Sequence, residues 1–592
     1  MIEVYKKMKY IAVDTEYNNE RIPFIATSTD ENLNTILYDL KKKKDIEKLR
    51  ALCGSTKISK VFHAGVNDIF ALSNIGIDVN LPYEDTLIAA SLINENYESK
   101  KLKRLAEKYL DEDCLEDKEL SKVKSKYKRE AKKAGRTFSY EDIPAKILYP
   151  YAKKDTEYTL KLWYLFKNQL LKKYKDLYGI EKKLIPIIVN MVKMGVNIDR
   201  KFLNEMCKEY RLGGLRVNNE LNRILKLRTI NYASPKQLNE ALLKLKIDIK
   251  KRSEKTGLMS TDSETIKDYL KSNPNCQFLK LVLHYRFYKK HRGTYYYPLL
   301  KGNYSIYDKN IAHFMFYQSG AKTGRFSADL IQTIPRQEND DNTPELNRVR
   351  EAFIARPEYT LLSIDYDQIE MRVFAHFSNA TRLIKNIIDG FDPHLGTAVT
   401  LFGKKILKLS KDEIKKYRKI AKNINFGIIY GMGKNKLARS LGLPMIEAEN
   451  VLNKYYSKYP VKEFMKMIIG DLYRKGYLHV SFNSPLMKFE RDYQVPQDKA
   501  YKAVNVLVQG TSAYIMKLAM IRVVDYINNN HLNIRLLMTV HDELIFEVSE
   551  EYSIQKIYKI LADIMSDRVT FKVPIVGSGK YGKSYGIMED LK

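Results

Sequence analysis

LLSIDYDQIEMR (361–372) and LLMTVHDELIFEV (536–548) decide how this chain folds. Each opens as a short apolar run with strand character. Each then delivers an aspartate, Asp365 or Asp542, at a strand end or tight turn. LLSID (361–365) and LLMTV (536–540) lie far apart, and the segment between them, from about 379 to 528, reads as mainly helical. Two strands bracketing a helical insertion predict one sheet interrupted by a subdomain. Two aspartates on neighbouring strands can clamp two Mg²⁺ ions for phosphoryl transfer.

Between the strands runs YRKIAKNINFGIIYG (417–431), in which Arg418, Lys422, Phe426 and Tyr430 are spaced by fours. Each such step advances about 400° around a helix, so all four fall within a sector of about 120°. One face therefore offers two cations followed by two aromatics. That order suits a triphosphate whose base lies beyond it, because cations hold phosphates and an aromatic stacks on a base. A plain amphipathic core helix does not align Arg and Lys with its aromatics.

A second set of acids lies near the N-terminus. KYIAV (9–13) predicts a short strand with Asp14 and Glu16 following at its end, two apart and hence on one face. From there to about 175, apolar runs alternate with charged helical stretches, as in an α/β domain. Asp68 lies in a strand-to-helix segment, VFHAGVNDIF, and Tyr151 and Asp155 share a helical face in YPYAKKDTEYTL. Paired carboxylates of this kind start a divalent-metal site. The cationic run SKVKSKYKREAKKAGR (121–136) reads as a solvated helix or loop, with a phosphate-contacting arm as the alternative. From about 180 to 310 the pattern is helical, and Gly195 and Asn197 mark where the helix of LIPIIVNMVKMGVNI stops. No internal repeat or Pro/Gly/Ser linker divides the chain.

GSGKYGKS (577–584) matches the phosphate-loop pattern GxxxxGK[ST], and Gly577, Gly579 and Gly582 also fit GxGxxG. A phosphate loop needs a helix after it. Only eight residues follow Ser584, so the stretch reads as a glycine-rich C-terminal turn instead.

Composition bounds these readings. At 592 residues, 44% hydrophobic and 11% aromatic, the chain has the length for about four structural units and is not a disordered polymer. Cys53, Cys114, Cys207 and Cys276 form no CxxC pair, against a disulfide framework or structural zinc and in favour of a reducing compartment. No uncharged apolar run reaches the ~18 residues of a membrane span, and MIEVYKKMKY lacks a secretory apolar core. The net charge of +31, from 102 basic and 71 acidic residues, invites a nucleic-acid partner. Lys outnumbers Arg nearly threefold, however, and Asn, Ile and Tyr are abundant, as A/T-rich coding also produces.

The set DTE, H-x4-D and Y-x3-D resembles the DEDDy group of 3′–5′ exonucleases. That resemblance implies Asp14, Glu16, Asp68 and Asp155 as ligands of two metal ions, with Tyr151 orienting the attacking water. Ala64 stands where proofreading relatives carry Asn, so this motif reads more like ribonuclease D. The segments around Asp365, Arg418–Tyr430 and Asp542 resemble motifs A, B and C of family A DNA polymerases. TGRFS (323–327), VREAF (349–353), DPH (392–394), VNVLVQGTSA (504–513) and the thumb-like SPKQL (234–238) fall in the family's order. The fold implied is α/β multidomain: a ribonuclease H-like exonuclease (1–178), thumb and start of palm (179–320), palm with motif A (321–395), fingers (396–500), and palm with motif C (501–592).

The resemblance also implies roles. Asp365 and Asp542 bind two Mg²⁺ ions, with Mn²⁺ as a substitute, and Glu543 is a secondary acid beside them. Arg418 and Lys422 hold the triphosphate, and Phe426 stacks on the incoming nucleotide, its lack of a hydroxyl predicting discrimination against dideoxynucleotides. Tyr430 guards the template-base position, and Glu370 is a steric gate against a 2′-OH. Arg325, Asn505, Gln509 and His541 follow the minor groove of the primer–template, where acceptors report pair shape. Asp367 for Ser, Tyr501 for Arg, Tyr514 for Asp, and SPLMKFER (484–491) for an Arg-rich segment depart from the pattern and bear on DNA contacts and fidelity. The partners implied are primer–template DNA, dNTPs and replisome proteins (a helicase, a single-strand binding protein, a processivity factor), with no membrane, for a monomer. A chain that begins with its exonuclease and lacks a 5′-nuclease domain resembles phage replicative enzymes acting in the host cytoplasm. A ribonuclease D-like nuclease and a non-catalytic DNA scaffold are the competing classes.

Overall fold

The computed structural model describes residues 9–226, 230–254, 256–335, 344, 347–441, 443–459 and 461–591. The N-terminal unit contains β1 (Tyr10–Tyr17), β2 (Pro23–Thr29), β3 (Thr35–Asp39), α1 (Lys43–Cys53), β4 (Ser59–Phe62), α2 (Val66–Ser73), β5 (Tyr83–Asp85), α3 (Thr86–Ile93), α4 (Leu102–Tyr109), α5 (Leu115–Lys133) and α6 (Ala145–Lys173). Its sheet runs β3-β2-β1-β4-β5. β1 is antiparallel to β2 and parallel to β4, and β4 is parallel to β5. The first half of β1 is buried, so its apolar run is continuous rather than alternating. The strand extends to Tyr17, so Asp14 and Glu16 lie within it rather than after it.

α7 (Lys175–Met194) ends at Gly195, whose φ of 58° only a residue without Cβ adopts without strain. β6 (Val196–Ile198), α8 (Arg200–Leu225), α9 (Pro235–Lys244), α10 (Ser263–Ser272), α11 (Gln277–Lys290) and α12 (Tyr297–Lys301) follow. The tip formed by α9, α10 and the facing ends of α8 and α11 has its own small core around Leu238, Leu242, Ile266 and Leu279. Short strands β7 (Ile311–Ala312), β8 (Phe316–Tyr317), β9 (Ser327–Ala328) and β10 (Phe353–Ile354) lead into β11 (Tyr359–Tyr366). The inserted helices are α13 (Ile369–Ser378), α14 (Thr381–Ile388), α15 (Pro393–Phe402), α16 (Lys411–Ile429), α17 (Lys434–Leu441), α18 (Met445–Lys458) and α19 (Val461–Lys475). After them come β12 (Leu478–Asn483), β13 (Lys488–Tyr493), α20 (Ala503–Asn529), β14 (Ile534–Val540), β15 (Glu543–Ser549), α21 (Ile554–Met565), β16 (Gly577–Ser584) and β17 (Ile587–Asp590).

The larger sheet has the order β14-β15-β11-β16-β10-β6-β7, with β17 paired to β16. The two strands predicted to share a sheet do so, as neighbours: β11 is antiparallel to β15 from Tyr359↔Ser549 to Asp365↔Glu543. One sequence expectation is refined and another needs correction. The insertion contains the hairpin β12–β13, whose first strand alternates buried and exposed residues. GSGKYGKS is a strand of the large sheet, not a turn. Its glycines serve packing: a Cβ at Gly579 would meet the Tyr558 ring at 2.4 Å, and one at Gly582 the Ile587 carbonyl at 2.4 Å. α20 is apolar enough on all sides to pass a membrane-span test by length and composition, but that stretch is mostly buried in the core.

Where α7, α20, β13 and the end of α3 meet lies a buried polar cluster. Lys517 Nζ donates to Glu181 Oε1 at 2.5 Å and to the Gln318 carbonyl at 3.0 Å. The Tyr514 hydroxyl donates to Glu181 Oε1 at 2.9 Å and accepts from Arg491 Nη1 at 2.8 Å. Arg491 continues to the Ser91 carbonyl and towards Glu95. This explains two departures together: Tyr514 satisfies an arginine brought in by the hairpin of the altered 484–491 segment. Removing one partner of such a pair strands the other charge in a dry core. Lys517→Met is therefore expected to cost about 3–5 kcal/mol, and Glu181→Gln with Lys517→Met to recover part of that loss. Thermal unfolding of the single and double variants tests this; a single variant as stable as the parent contradicts it.

Candidate active sites

The first site is built on β1. Strand alternation sends Asp14 and Glu16 to one face, while Thr15 on the other donates its amide (3.0 Å) and hydroxyl (2.7 Å) to Asp68 Oδ1 from α2. The turn before α2 is fixed by Asp85, which accepts from the Gly65 amide at 2.7 Å while capping α3 through Leu87 and Ile88. Ala64 in that turn has φ 65°, a left-handed conformation that Asn adopts more readily. α6 is held to β2 by Thr27 Oγ1 donating to the Ala152 carbonyl (2.9 Å) and by the Thr29–Thr156 hydroxyl pair (2.7 Å). That seating aims Asp155 at β1. Ligand oxygens of Asp14, Glu16 and Asp155 all lie within 4.8 Å of one another. Asp68 stands beside the trio with one oxygen engaged by Thr15.

Crowding and burial set the electrostatics. Burial, then repulsion from Asp68, Asp155 and Glu16, holds the Asp14 carboxyl well above the usual range. Burial and Asp155 push Glu16 to about 8. Asp155 rises to about 6, burial outweighing its pairing with Lys103. An all-carboxylate trio with raised affinity for protons is a donor set suited to a hard divalent cation. Sequence reading missed Lys103. It ion-pairs with Asp155, contacts Glu116 at 2.9 Å, and lies 4.4 Å from the Tyr151 ring. Nothing in KLKRLAEKY distinguishes it from the surrounding lysines.

The second site is built on the large sheet. Asp365 is paired across to Glu543 on one side and Ser578 on the other. Asp542 occupies the two-residue turn between β14 and β15, made possible by the left-handed His541 (φ 57°). Arg325 Nη2 donates to Asp542 Oδ1 at 3.1 Å and to Glu370 Oε1 at 2.7 Å. Glu370 Oε2 accepts from the Tyr430 hydroxyl at 2.8 Å, which in turn accepts from Gln509 at 3.4 Å. Five of the predicted residues thus form one hydrogen-bonded chain. Glu543 is no open acid: one oxygen accepts from Ser363, the other from the Tyr585 hydroxyl at 2.9 Å. Asp367 accepts from Ser578.

α16 presents its face as the spacing requires. Arg418 is held by Asp392, the N-cap of α15, through Nε (3.1 Å) and Nη2 (2.7 Å), and Gln368 donates to the same carboxylate at 2.7 Å. Gln368 was not singled out from sequence; it occupies the corner between β11 and α13, with φ 50°. Phe426 stacks on Tyr430 with centroids 6.0 Å apart and packs against His394 at 5.4 Å. Lys422 Nζ lies 6.0 Å from the Phe426 ring. Asn505 is one turn before Gln509 on α20, with a buried Oδ1 that has no hydrogen-bond partner. Tyr501 is half exposed at the foot of α16.

The first site generates a stability prediction. Asp14, Glu16, Asp68 and Asp155 bind protons more tightly folded than unfolded. Their contribution is therefore favourable below the unfolded values near 4 and is lost as pH rises towards about 8. In EDTA, Tm is expected to fall across that window; Mg²⁺ or Mn²⁺ should restore it, and Glu16→Gln should flatten the profile. A pH-independent Tm with no metal response contradicts the assignment.

Two family models match: 3′–5′ exonuclease over residues 1–171 and DNA polymerase family A over residues 200–587. DNA polymerase I of Borreliella burgdorferi is 29% identical over 611 residues, covering 99% of this chain and 63% of that protein. DNA polymerase I of Helicobacter pylori J99 is 31% identical, covering 86% and 52%, and that of Caldicellulosiruptor bescii 33% identical, covering 69% and 47%. The chain thus spans about half to three-fifths of these curated relatives. A solved structure described as the polymerase domain of M. smegmatis Pol1, in complex with DNA primer–template and dNTP, shares the fold at a TM-score of 0.81. It is 22% identical, and the match covers 99% of this chain and 97% of that one. The architecture is an exonuclease domain followed by a family A polymerase domain, and the chain belongs to DNA polymerase family A.

Proposed function

We propose that this chain extends a primer 3′-OH with dNTPs on a DNA template and trims mispaired 3′ ends at a separate exonuclease site. The observation that carries the polymerase reading is the chain Asp542–Arg325–Glu370–Tyr430, which joins motif C, motif A and the cation–aromatic helix in one pocket. Asp365 and Asp542 would hold Mg²⁺ there, and Asp14, Glu16, Asp68 and Asp155 would hold it in the exonuclease. Two such ions, when bound, activate the attacking oxygen and neutralise charge on the phosphate under attack.

The remaining work falls to side chains. Arg418, oriented by Asp392 and Gln368, and Lys422 grip the triphosphate and favour pyrophosphate departure. Phe426 stacks on the incoming base, and Tyr430 closes the template side. Glu370, fixed by Arg325 and Tyr430, fills the space a 2′-OH would need. Arg325, Asn505, Gln509 and His541 lie along the minor groove of the newest pairs. Tyr151 positions the water that attacks in the exonuclease. The Lys-, Asn-, Ile- and Tyr-rich composition suits an A/T-rich genome. The relatives given above are bacterial enzymes.

Primer extension and 3′ trimming on one substrate test the assignment. Asp365→Asn or Asp542→Asn should reduce extension at least ~10²–10³-fold while trimming persists. Asp14→Ala with Glu16→Ala should do the reverse. RNA trimming without any extension by the parent chain would instead favour the ribonuclease D-like reading. Glu370→Ala should erode discrimination against ribonucleotides by roughly 10–100-fold; unchanged discrimination removes Glu370 from the gate.

A further inference from the structure

The cationic run 121–136, left open by sequence between a solvated helix and a phosphate-contacting arm, has two unlike faces. α5 buries Leu120 and Ala131 against the domain. Lys124 and Lys128 follow Leu120 at steps of four and therefore rim that inward side. Lys124 Nζ lies 4.2 Å from the Tyr140 ring centroid and contacts its hydroxyl, and Lys128 Nζ lies 5.9 Å from the Phe138 ring. The two rings are themselves neighbours, 5.9 Å apart. The loop carrying them is pinned to the catalytic strand's own turn, where Asn19 Nδ2 donates to the Phe138 carbonyl at 2.9 Å. Ser139 and Asp142 close a capping box that keeps Tyr140 in place. Lys124 is half-buried. Lys128 is exposed like Lys122, Lys126, Arg129, Lys132 and Lys133, and its contact with Phe138 sets it apart from them.

We propose that the inward edge of α5, formed by Lys124 and Lys128 with Phe138 and Tyr140, is a tracking surface for the single strand whose 3′ end enters the Asp14–Glu16–Asp155 cluster. Cations at one-turn spacing meet successive phosphates, and two adjacent rings offer stacking platforms to the bases. Neither contact reads a base edge, which suits a site that must accept any terminal sequence. The spacing from Lys124 to Lys128 covers about 6 Å of helix, one turn. This surface rests on the exonuclease reading of the neighbouring cluster. It assigns the inward cations to the strand and leaves the outward ones as a solvated face.

The test uses the full chain, a 5′-labelled oligo(dT) 12-mer, and the p-nitrophenyl ester of thymidine 5′-monophosphate, which offers one phosphate and one base. Lys124→Ala with Lys128→Ala should raise KM for the 12-mer roughly 10-fold at unchanged kcat and lower the salt slope by about 1.4, at ~0.7 per phosphate contact. Ester hydrolysis and primer extension should stay within twofold, and Lys124→Arg with Lys128→Arg should restore KM. Arg129→Ala with Lys133→Ala on the outer side should change nothing. Photocrosslinking of 4-thiothymidine, placed in turn at each of the last five positions, should label peptides within 115–140. An unchanged KM without such labelling overturns the surface, even where trimming is intact. Equal losses on ester and 12-mer also overturn it, since the lysines would then act only at the carboxylate cluster. Labelling of α5 in a parent chain that trims nothing upholds the surface and removes the exonuclease reading beside it.

Discussion

The antiparallel register of β11 on β15, with Asp365 opposite Glu543, is the constraint on which the larger site depends. The two strands come from segments about 180 residues apart, so a long chain must close before either aspartate is useful. A slip of one residue would turn Asp365 to the opposite face of the sheet. The register is defended on both sides. β15 is buried along its whole length, and β16 pairs with the other edge of β11 from Leu361↔Gly582 to Tyr366↔Gly577. Glu543 is tied to Ser363 and Tyr585, which braces the strand beside Asp365 rather than adding an open acid. With that platform fixed, Arg325 can bridge Asp542 and Glu370, and α16 can dock Tyr430 onto Glu370.

The exonuclease cluster follows a different principle. Its carboxylates are crowded and buried, so the folded protein holds them at an electrostatic cost that a divalent cation would relieve. Lys103, paired with Asp155, offsets part of that repulsion from within the chain. The larger site instead meets its acids with guanidinium groups, Arg325 on Asp542 and Arg418 on Asp392. Two routes to a stable acidic pocket therefore coexist in one molecule.

Much of this was legible in the sequence because spacing constrains geometry. Steps of four made Arg418, Lys422, Phe426 and Tyr430 a single face, and the DxE spacing put Asp14 and Glu16 side by side. Strand character in LLSID and LLMTV predicted their shared sheet. What escaped notice was long-range or atypical. Asp85 and Lys103 act through contacts that no local pattern encodes, in a chain where lysine is everywhere. The β12–β13 hairpin was hidden inside a helical segment, although LHVSFN alternates. GSGKYGKS reads as a turn because too few residues follow it for a phosphate loop, yet it is a strand whose glycines let Tyr558 and β17 approach. Tyr514 and the altered 484–491 segment looked like separate losses, and only their contact through Arg491 makes them one exchange.

In the proposed function, two independent carboxylate sites in one chain act in opposite directions on the same primer end. Idling turnover measures it most directly: a primer–template given only the next correct dNTP, with conversion of that dNTP to dNMP followed over time. The account predicts steady dNMP release by the parent chain, abolished by Asp365→Asn and equally by Asp14→Ala with Glu16→Ala. No dNMP from the parent chain, or release that survives loss of either site, would contradict it.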